Sequence, residues 1–250
     1  MNQYSSRQAG IVRRLARAIL RLLSPFRAQA LTEQQYNVLL GQMYDLVDDA
    51  RRESAKAARE FFDTQWNAEL PDADTPDVDL AAYRPEWFEA AMRPLKPQLT
   101  SRNTPRETIA RASQVATKEA ENGGRRTIIR AVETNKRLVG WARYDPEPPT
   151  CAFCLMLISR GPVYTSESAA NYKTRKAKTY RGNDRETFHP GCTCKVVPVF
   201  SRDRWEGRDQ YRDAEKLWQD ATRGWSGKNA LNAFRRAVET QRRHDIPDAA

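Results

Sequence analysis

Cysteine is scarce in this chain of 250 residues, and what there is sits in one place: all four lie between Cys151 and Cys194. Histidine is scarcer still, with only His189 and His244. No secretory signal is expected, because Met1–Gly10 is polar and Arg13, Arg14, Arg17 and Arg21 interrupt the apolar run that follows. A reducing compartment is therefore expected, where clustered cysteines hold metals or do redox chemistry rather than form bridges. Long hydrophobic runs are missing too, so no membrane span is expected and the chain reads as soluble and intracellular at synthesis. The H-E-x2-H signature of zinc proteases is absent. If His189 binds a metal, only His244 in a polar tail is left for a Ser-His-Asp hydrolase, and that argues against one.

Acidic residues are lacking from residues 1–30, which carry six arginines. Residues 31–100 reverse this with a net charge of −7, and the remainder from Ser101 holds +11, for +10 overall. Separated blocks of opposite sign suggest separate surfaces with separate partners, including a polyanion for the basic ones.

The segment Ile11–Leu23 places Ile11, Leu15, Ile19 and Leu22 on one helical face and arginines on the other. Such a helix can lie on a membrane, a nucleic acid or a protein, and docking on the chain's own core is the plainest reading. Thr32 and Gln35 have the spacing of a capping box. Leu39, Met43, Leu46, Val47 and Ala50, then Ala55, Ala58 and Phe61-Phe62, follow at helical intervals to about Trp66. That length suits an extended bundle or coiled coil. An acidic, proline-containing connector over 69–79 separates this helix from a short one at Pro85–Leu95, anchored by Trp87 and Phe88. Thr104-Pro105-Arg106-Glu107 opens a further helix, which Gly123-Gly124 is expected to break or kink before it resumes over 125–136.

From Leu138 the character changes. Leu138–Tyr144 and Cys194–Phe200 read as strands, the second at a sheet edge because of Pro198. Leu155–Ser159 reads as a short helix and Gly161–Tyr164 as a turn with a short strand. Trp205–Thr222 and Lys228–Arg243 read as two terminal helices. The predicted fold class is α+β: a mainly helical N-terminal region, a small zinc-stabilised α+β unit, and C-terminal helices. The predicted segments are 1–30, 31–103, 104–200 and 201–250.

The chemistry lies in Cys151-Ala-Phe-Cys154 and His189-Pro-Gly-Cys192-Thr-Cys194. Thiolate and imidazole suit a tetrahedral zinc ion, and C-x2-C is the usual first half of such a site. The candidate ligands are Cys151, Cys154, His189, Cys192 and Cys194, five donors for four positions. A thioredoxin-like reading fails, since no βαβ pattern surrounds the C-x2-C. The deaminase pattern H-x-E…P-C-x2-C fails as well: His189 is followed by Pro-Gly and comes after the cysteine pair. A structural Zn2+ is the expected cofactor, and no catalytic residue is assigned. Between the two halves, Lys173, Arg175, Lys176, Lys178 and Arg181 alternate with Tyr172 and Tyr180, a composition that can contact phosphates and stack on bases without reading sequence.

Trp141-x-Arg143, an acidic-proline turn, Cys151 and Cys154, Arg160-Gly161-Pro162-Val163-Tyr164, then His189-Pro190, Cys192 and Cys194 together resemble the phage Mu protein F-like (MuF-like) minor head proteins. The likeness is closest to those of actinobacterial tailed phages and prophages, and it covers about residues 104–200. It departs at Thr193, where that family usually has Arg, so a phosphate or protein contact made by that Arg is not expected here. The resemblance implies a minor capsid (head morphogenesis) protein of the virion, in the head interior or at the portal vertex, and in the host cytoplasm during assembly. Its implied partners are the portal protein, capsid or scaffold proteins, and phage DNA bound without sequence specificity. The alternatives are a capsid maturation protease and a standalone nucleic-acid-binding zinc protein.

Overall fold

The computed structural model describes residues 2–27, 31–78, 82–101, 106–147, 149–164 and 188–245. They divide into two compact units: residues 1–131 with 167–192, and residues 132–166 with 193–250. The described residues are mostly helical, with one small sheet, which fits α+β loosely. Among them no helix is long and apolar enough to cross a membrane.

The first unit is built on two antiparallel helices, α1 (Asn2–Leu23) and α2 (Glu33–Glu69). Ile11, Leu15 and Ile19 are buried as expected, and Leu23 is buried in place of the predicted Leu22, which is only partly covered, so the apolar stripe of α1 is consumed by the protein's own core. The helix starts nine residues before the predicted Ile11. That extra length is held by polar groups that apolar periodicity does not register. Gln8 Nε2 donates to the Ser54 carbonyl at 3.0 Å, Ser54 Oγ donates to Gln8 Oε1 at 2.8 Å, and Tyr4 stacks on Phe61 at 4.7 Å. Burial raises the Tyr4 phenol well above its ordinary pKa, keeping it neutral inside the packed interface.

Helix α2 begins with the predicted capping box: Thr32 Oγ1 accepts from Gln35 N–H, and Gln35 Oε1 accepts from Thr32 N–H. Its 37 residues bury Leu39, Met43, Val47, Ala58, Phe62 and Trp66 along one side. A short helix, α3 (Pro85–Met92), seats Phe88 and Met92 in the same core, followed by a 3₁₀ turn (Arg93–Leu95) and the one-turn α4 (Lys96–Leu99).

Helix α5 (Arg106–Glu133) runs unbroken through Gly123 and Gly124, which corrects the predicted break. The two glycines are there because another backbone is. A Cβ on Gly123 would sit 2.3 Å from the Arg51 carbonyl oxygen, and one on Gly124 would sit 2.8 Å from Ser54 Oγ. Gly124 N–H donates to that same Ser54 Oγ at 3.1 Å. Arg51 itself is buried, donating to the Glu119 carbonyl at 2.6 Å with its guanidinium over the Tyr83 ring.

In the second unit β1 (Gly140–Tyr144) pairs antiparallel with β2 (Lys195–Val199), Trp141 opposite Pro198. Trp141 N–H is directed away from β2, to the Tyr164 carbonyl at 2.9 Å. The neighbouring ladder therefore loses nothing to the N–H that Pro198 lacks, as expected of an edge strand. Trp141 stacks on Tyr164 at 4.6 Å, and the Tyr164 hydroxyl donates to the Leu157 carbonyl at 3.1 Å. Burial outweighs the neighbouring Arg143 and Arg160 and raises the Tyr164 pKa, so the donating proton stays in place.

Three helices complete this unit: α6 (Ala152–Ile158), α7 (Arg208–Thr222) and α8 (Gly227–Asp245). Met156, Leu157, Phe234 and Val238 form their shared core. The predicted start of α7 at Trp205 falls three residues early, because Gly207 at φ +91° turns the chain against the Tyr144 ring before the helix begins.

Candidate metal centre

The turn after β1 fixes the approach to the first cysteine. Asp145 N–H donates to Gln210 Oε1 at 2.9 Å, and Gln210 Nε2 returns a bond to the Asp145 carbonyl at 3.0 Å. Arg242 of α8 donates to the carbonyls of Pro149 and Thr150. Cys151 is then the N-cap of α6, and its sulfur accepts the Cys154 N–H at 3.3 Å. An N–H···S bond of this kind orients a thiolate and stabilises its charge, as groups behind metal ligands do.

Because Cys154 lies in the first turn of α6, its sulfur falls on the same side as that of Cys151. These two sulfurs are within 4.8 Å of each other, and so are those of Cys154 and Cys194. Cys194 directly precedes β2 and is fully buried, as Cys154 nearly is. Two thiolates on one tetrahedral zinc stand about 3.8 Å apart given Zn–S bonds of ~2.3 Å. The four cysteines carry thiols, not disulfides. The donor set is soft, with Cys154 and Cys194 buried and the half-buried Cys151 hydrogen-bonded at sulfur, and it fits a bound metal ion.

His189 and Cys192 are carried by the first unit, five and two residues before Cys194 along the chain. His189-Pro190-Gly191-Cys192 is one tight turn: Cys192 N–H donates to the His189 carbonyl at 3.1 Å, and Gly191 has φ +77°. Proline at the second position and a left-handed glycine at the third are what a type II turn requires, which accounts for the H-P-G-C spelling. His189 Nδ1 lies 2.9 Å from the Pro190 carbonyl. A carbonyl can only accept, so Nδ1 carries the proton and Nε2 is the nitrogen with a lone pair for a metal.

Arg125 was not singled out by the sequence, yet it anchors this turn. It is 2% exposed, donates to the Cys192 carbonyl at 2.7 Å, lies over the Phe188 ring at 4.2 Å, and pairs with Glu121 at 3.2 Å. A charge following Gly-Gly inside a helix is the only trace of it in the sequence. Of the predicted ligands, Cys151, Cys154 and Cys194 are gathered in one unit and His189 and Cys192 in one turn of the other. Lys173, Arg175, Lys176, Lys178 and Arg181 lie outside the described residues.

The family model for the VG15 protein matches residues 1–221, so it takes in both cysteine halves, the turn and all of α1 to α6. The chain belongs to the VG15 protein family. It is 31% identical over 247 residues to the Gene 15 protein of Mycobacterium phage L5, spanning 88% of this chain and 84% of that protein. It is also 31% identical over 256 residues to the Gene 15 protein of Mycobacterium phage D29, spanning 90% and 93%. The VG15 family member described here is therefore a phage protein of the kind actinobacterial phages encode. No solved structure matches it.

Proposed function

We propose that this VG15 family protein is a minor capsid, or head morphogenesis, protein that associates with the portal during procapsid assembly. The observation that carries the reading is that, in a phage protein, the Cys154 sulfur lies within 4.8 Å of those of Cys151 and Cys194, behind a W-x-R strand and with the H-P-G-C turn between Cys154 and Cys194 in the sequence. The order of these residues resembles that of the MuF-like minor head proteins. A zinc ion bound by four of Cys151, Cys154, His189, Cys192 and Cys194 would act structurally, tying the start of α6 to the start of β2. A small α+β unit with a two-stranded sheet has little core of its own, which is where a metal adds most to folding. Four protein ligands leave no open coordination position, so the site supplies no catalysis in this reading.

The segment with Lys173, Arg175, Lys176, Lys178 and Arg181 is proposed to touch packaged DNA through phosphates. In virions the protein belongs to the head interior or the portal vertex. The test is co-expression with the portal protein of the same phage. Stoichiometric co-purification with the portal ring supports the reading. A chain that never associates with portal or procapsid, or that appears self-cleaved alongside trimmed capsid protein, overturns it in favour of a protease.

A further inference from the structure

Helices α1 and α2 run antiparallel with a ladder of ion pairs along their outer edge, Arg7 with Glu60 and Arg14 with Glu53. Each step is seven residues, two helical turns. The next step brings Arg21 level with Leu46, and no acid stands there. Among the described residues Arg13 and Arg17 make no ion pair either, and Arg21 reaches only the Arg17 carbonyl. Three exposed guanidiniums thus line the outer face of α1, around Leu20, which is 38% exposed.

The adjoining face of α2 is unusual in the opposite sense. Val38 is 58% exposed and Leu46 37%, with Asp45 and Asp49 exposed between and beyond them. Gly41 lies in the same stretch. It is in mid-helix, where glycine is destabilising relative to alanine, yet a Cβ there would meet nothing within 4 Å. The chain's other mid-helix pair, Gly123 and Gly124, sits where two backbones press together. Gly41, like Gly10 in α1, has no other backbone within 4 Å of a Cβ placed on it among the described residues.

The geometry points to an interface between two copies of this chain through the outer face of α1 and α2, related by a two-fold axis. Arg17 and Arg21 of one copy would meet Asp45 and Asp49 of the other, with Leu20, Val38 and Leu46 at the centre and Gly41 admitting the approaching helix. The patch carries both signs of charge, and a two-fold contact requires such self-complementarity. Nucleic acid would meet the two aspartates, and a wholly acidic partner would leave them unmatched. A membrane would need the apolar stripe that the core has already buried. The patch, about 10 Å wide over ~13 Å of α1 (Arg13–Arg21) and ~18 Å of α2 (Val38–Asp49), gives roughly 600 Å² buried in total, the size of a weak, transient contact. A dimer with a micromolar Kd is expected.

Sedimentation velocity of the full chain over roughly 1–100 μM tests this. The expected result is a concentration-dependent monomer–dimer equilibrium. Gly41→Gln should raise the dimer Kd at least tenfold while the monomer's melting temperature stays level or rises, since glutamine is the better helix former. The double variants Arg17→Glu/Arg21→Glu and Asp45→Arg/Asp49→Arg should each be monomeric alone and recover dimerisation when mixed. A monomer at every concentration overturns the proposal. So does a dimer that ignores Gly41→Gln and both charge reversals, or one whose charge-reversed forms fail to pair when mixed.

Discussion

Gly123→Ala is the substitution whose sign the packing decides. Taken alone, alanine is about 1 kcal/mol better than glycine in a helix interior. The added methyl would lie 2.3 Å from the Arg51 carbonyl oxygen, 2.7 Å from its Cγ and 3.0 Å from its carbonyl carbon. Two of those three atoms are backbone of α2, so no rotamer change removes the clash. The helices must separate locally, which also disturbs the Gly124 N–H bond to Ser54 at 3.1 Å and the Gln8–Ser54 pair beneath it. Overpacking of this sort costs typically 1–3 kcal/mol, and loss of a buried hydrogen bond adds ~1 kcal/mol. After the propensity gain, a net loss of about 1–3 kcal/mol is expected, or ~2–10 °C in melting temperature for a domain of this size. The assay is urea and thermal denaturation followed by circular dichroism. Gly41→Ala, measured at a concentration that keeps the chain monomeric, is the control: with nothing within 4 Å it should gain up to about 1 kcal/mol. If Gly123→Ala is as stabilising as Gly41→Ala, the close approach of α5 to α2 is wrong.

Arg125→Ala should cost about 2–4 kcal/mol, because the Cys192 carbonyl and Glu121 lose a buried charged partner, and urea unfolding should show it. Trp141→Phe should cost no more than about 1.5 kcal/mol in the same assay: the indole nitrogen is buried with no hydrogen-bond partner among the described residues, so only ring area is lost. Trp141→Ala, which also empties the stack on Tyr164, should cost ~3–5 kcal/mol. Cys154→Ser should lower bound metal below half of the wild-type content and destabilise the second unit while far-ultraviolet helicity of α1 and α2 is retained. Calorimetry with parallel metal analysis checks both halves of that statement.

The parts of the fold governed by local chemistry could be read directly. Thr32 and Gln35 form their capping box from four consecutive residues, and the strand pair and both terminal helices follow from local pattern, whereas α6 starts at Ala152, three residues before the predicted Leu155, because Cys151 caps it. Features that depend on a distant backbone could not be read. Gly123-Gly124 looks like a helix break until α2 is seen against it, and the first nine residues of α1 look like a polar tail until Gln8 is seen paired with Ser54. The donor types of the candidate metal centre were legible because thiols and imidazole are rare and clustered in this chain. The support for His189 and Cys192 was not. Arg125 is separated from Cys192 by 67 residues, and only the folded chain brings its guanidinium to that carbonyl. The glycine of the H-P-G-C turn was likewise legible as a letter but not as the left-handed residue the turn needs.

Metal content bears most directly on the account. The full chain, purified without metal-affinity steps, would be analysed by inductively coupled plasma mass spectrometry alongside titration of thiols under native conditions. The expected result is one zinc per chain, with the cysteines unreactive until a chelator or denaturant is added. A folded, metal-free chain whose four cysteines react freely at native pH would contradict it.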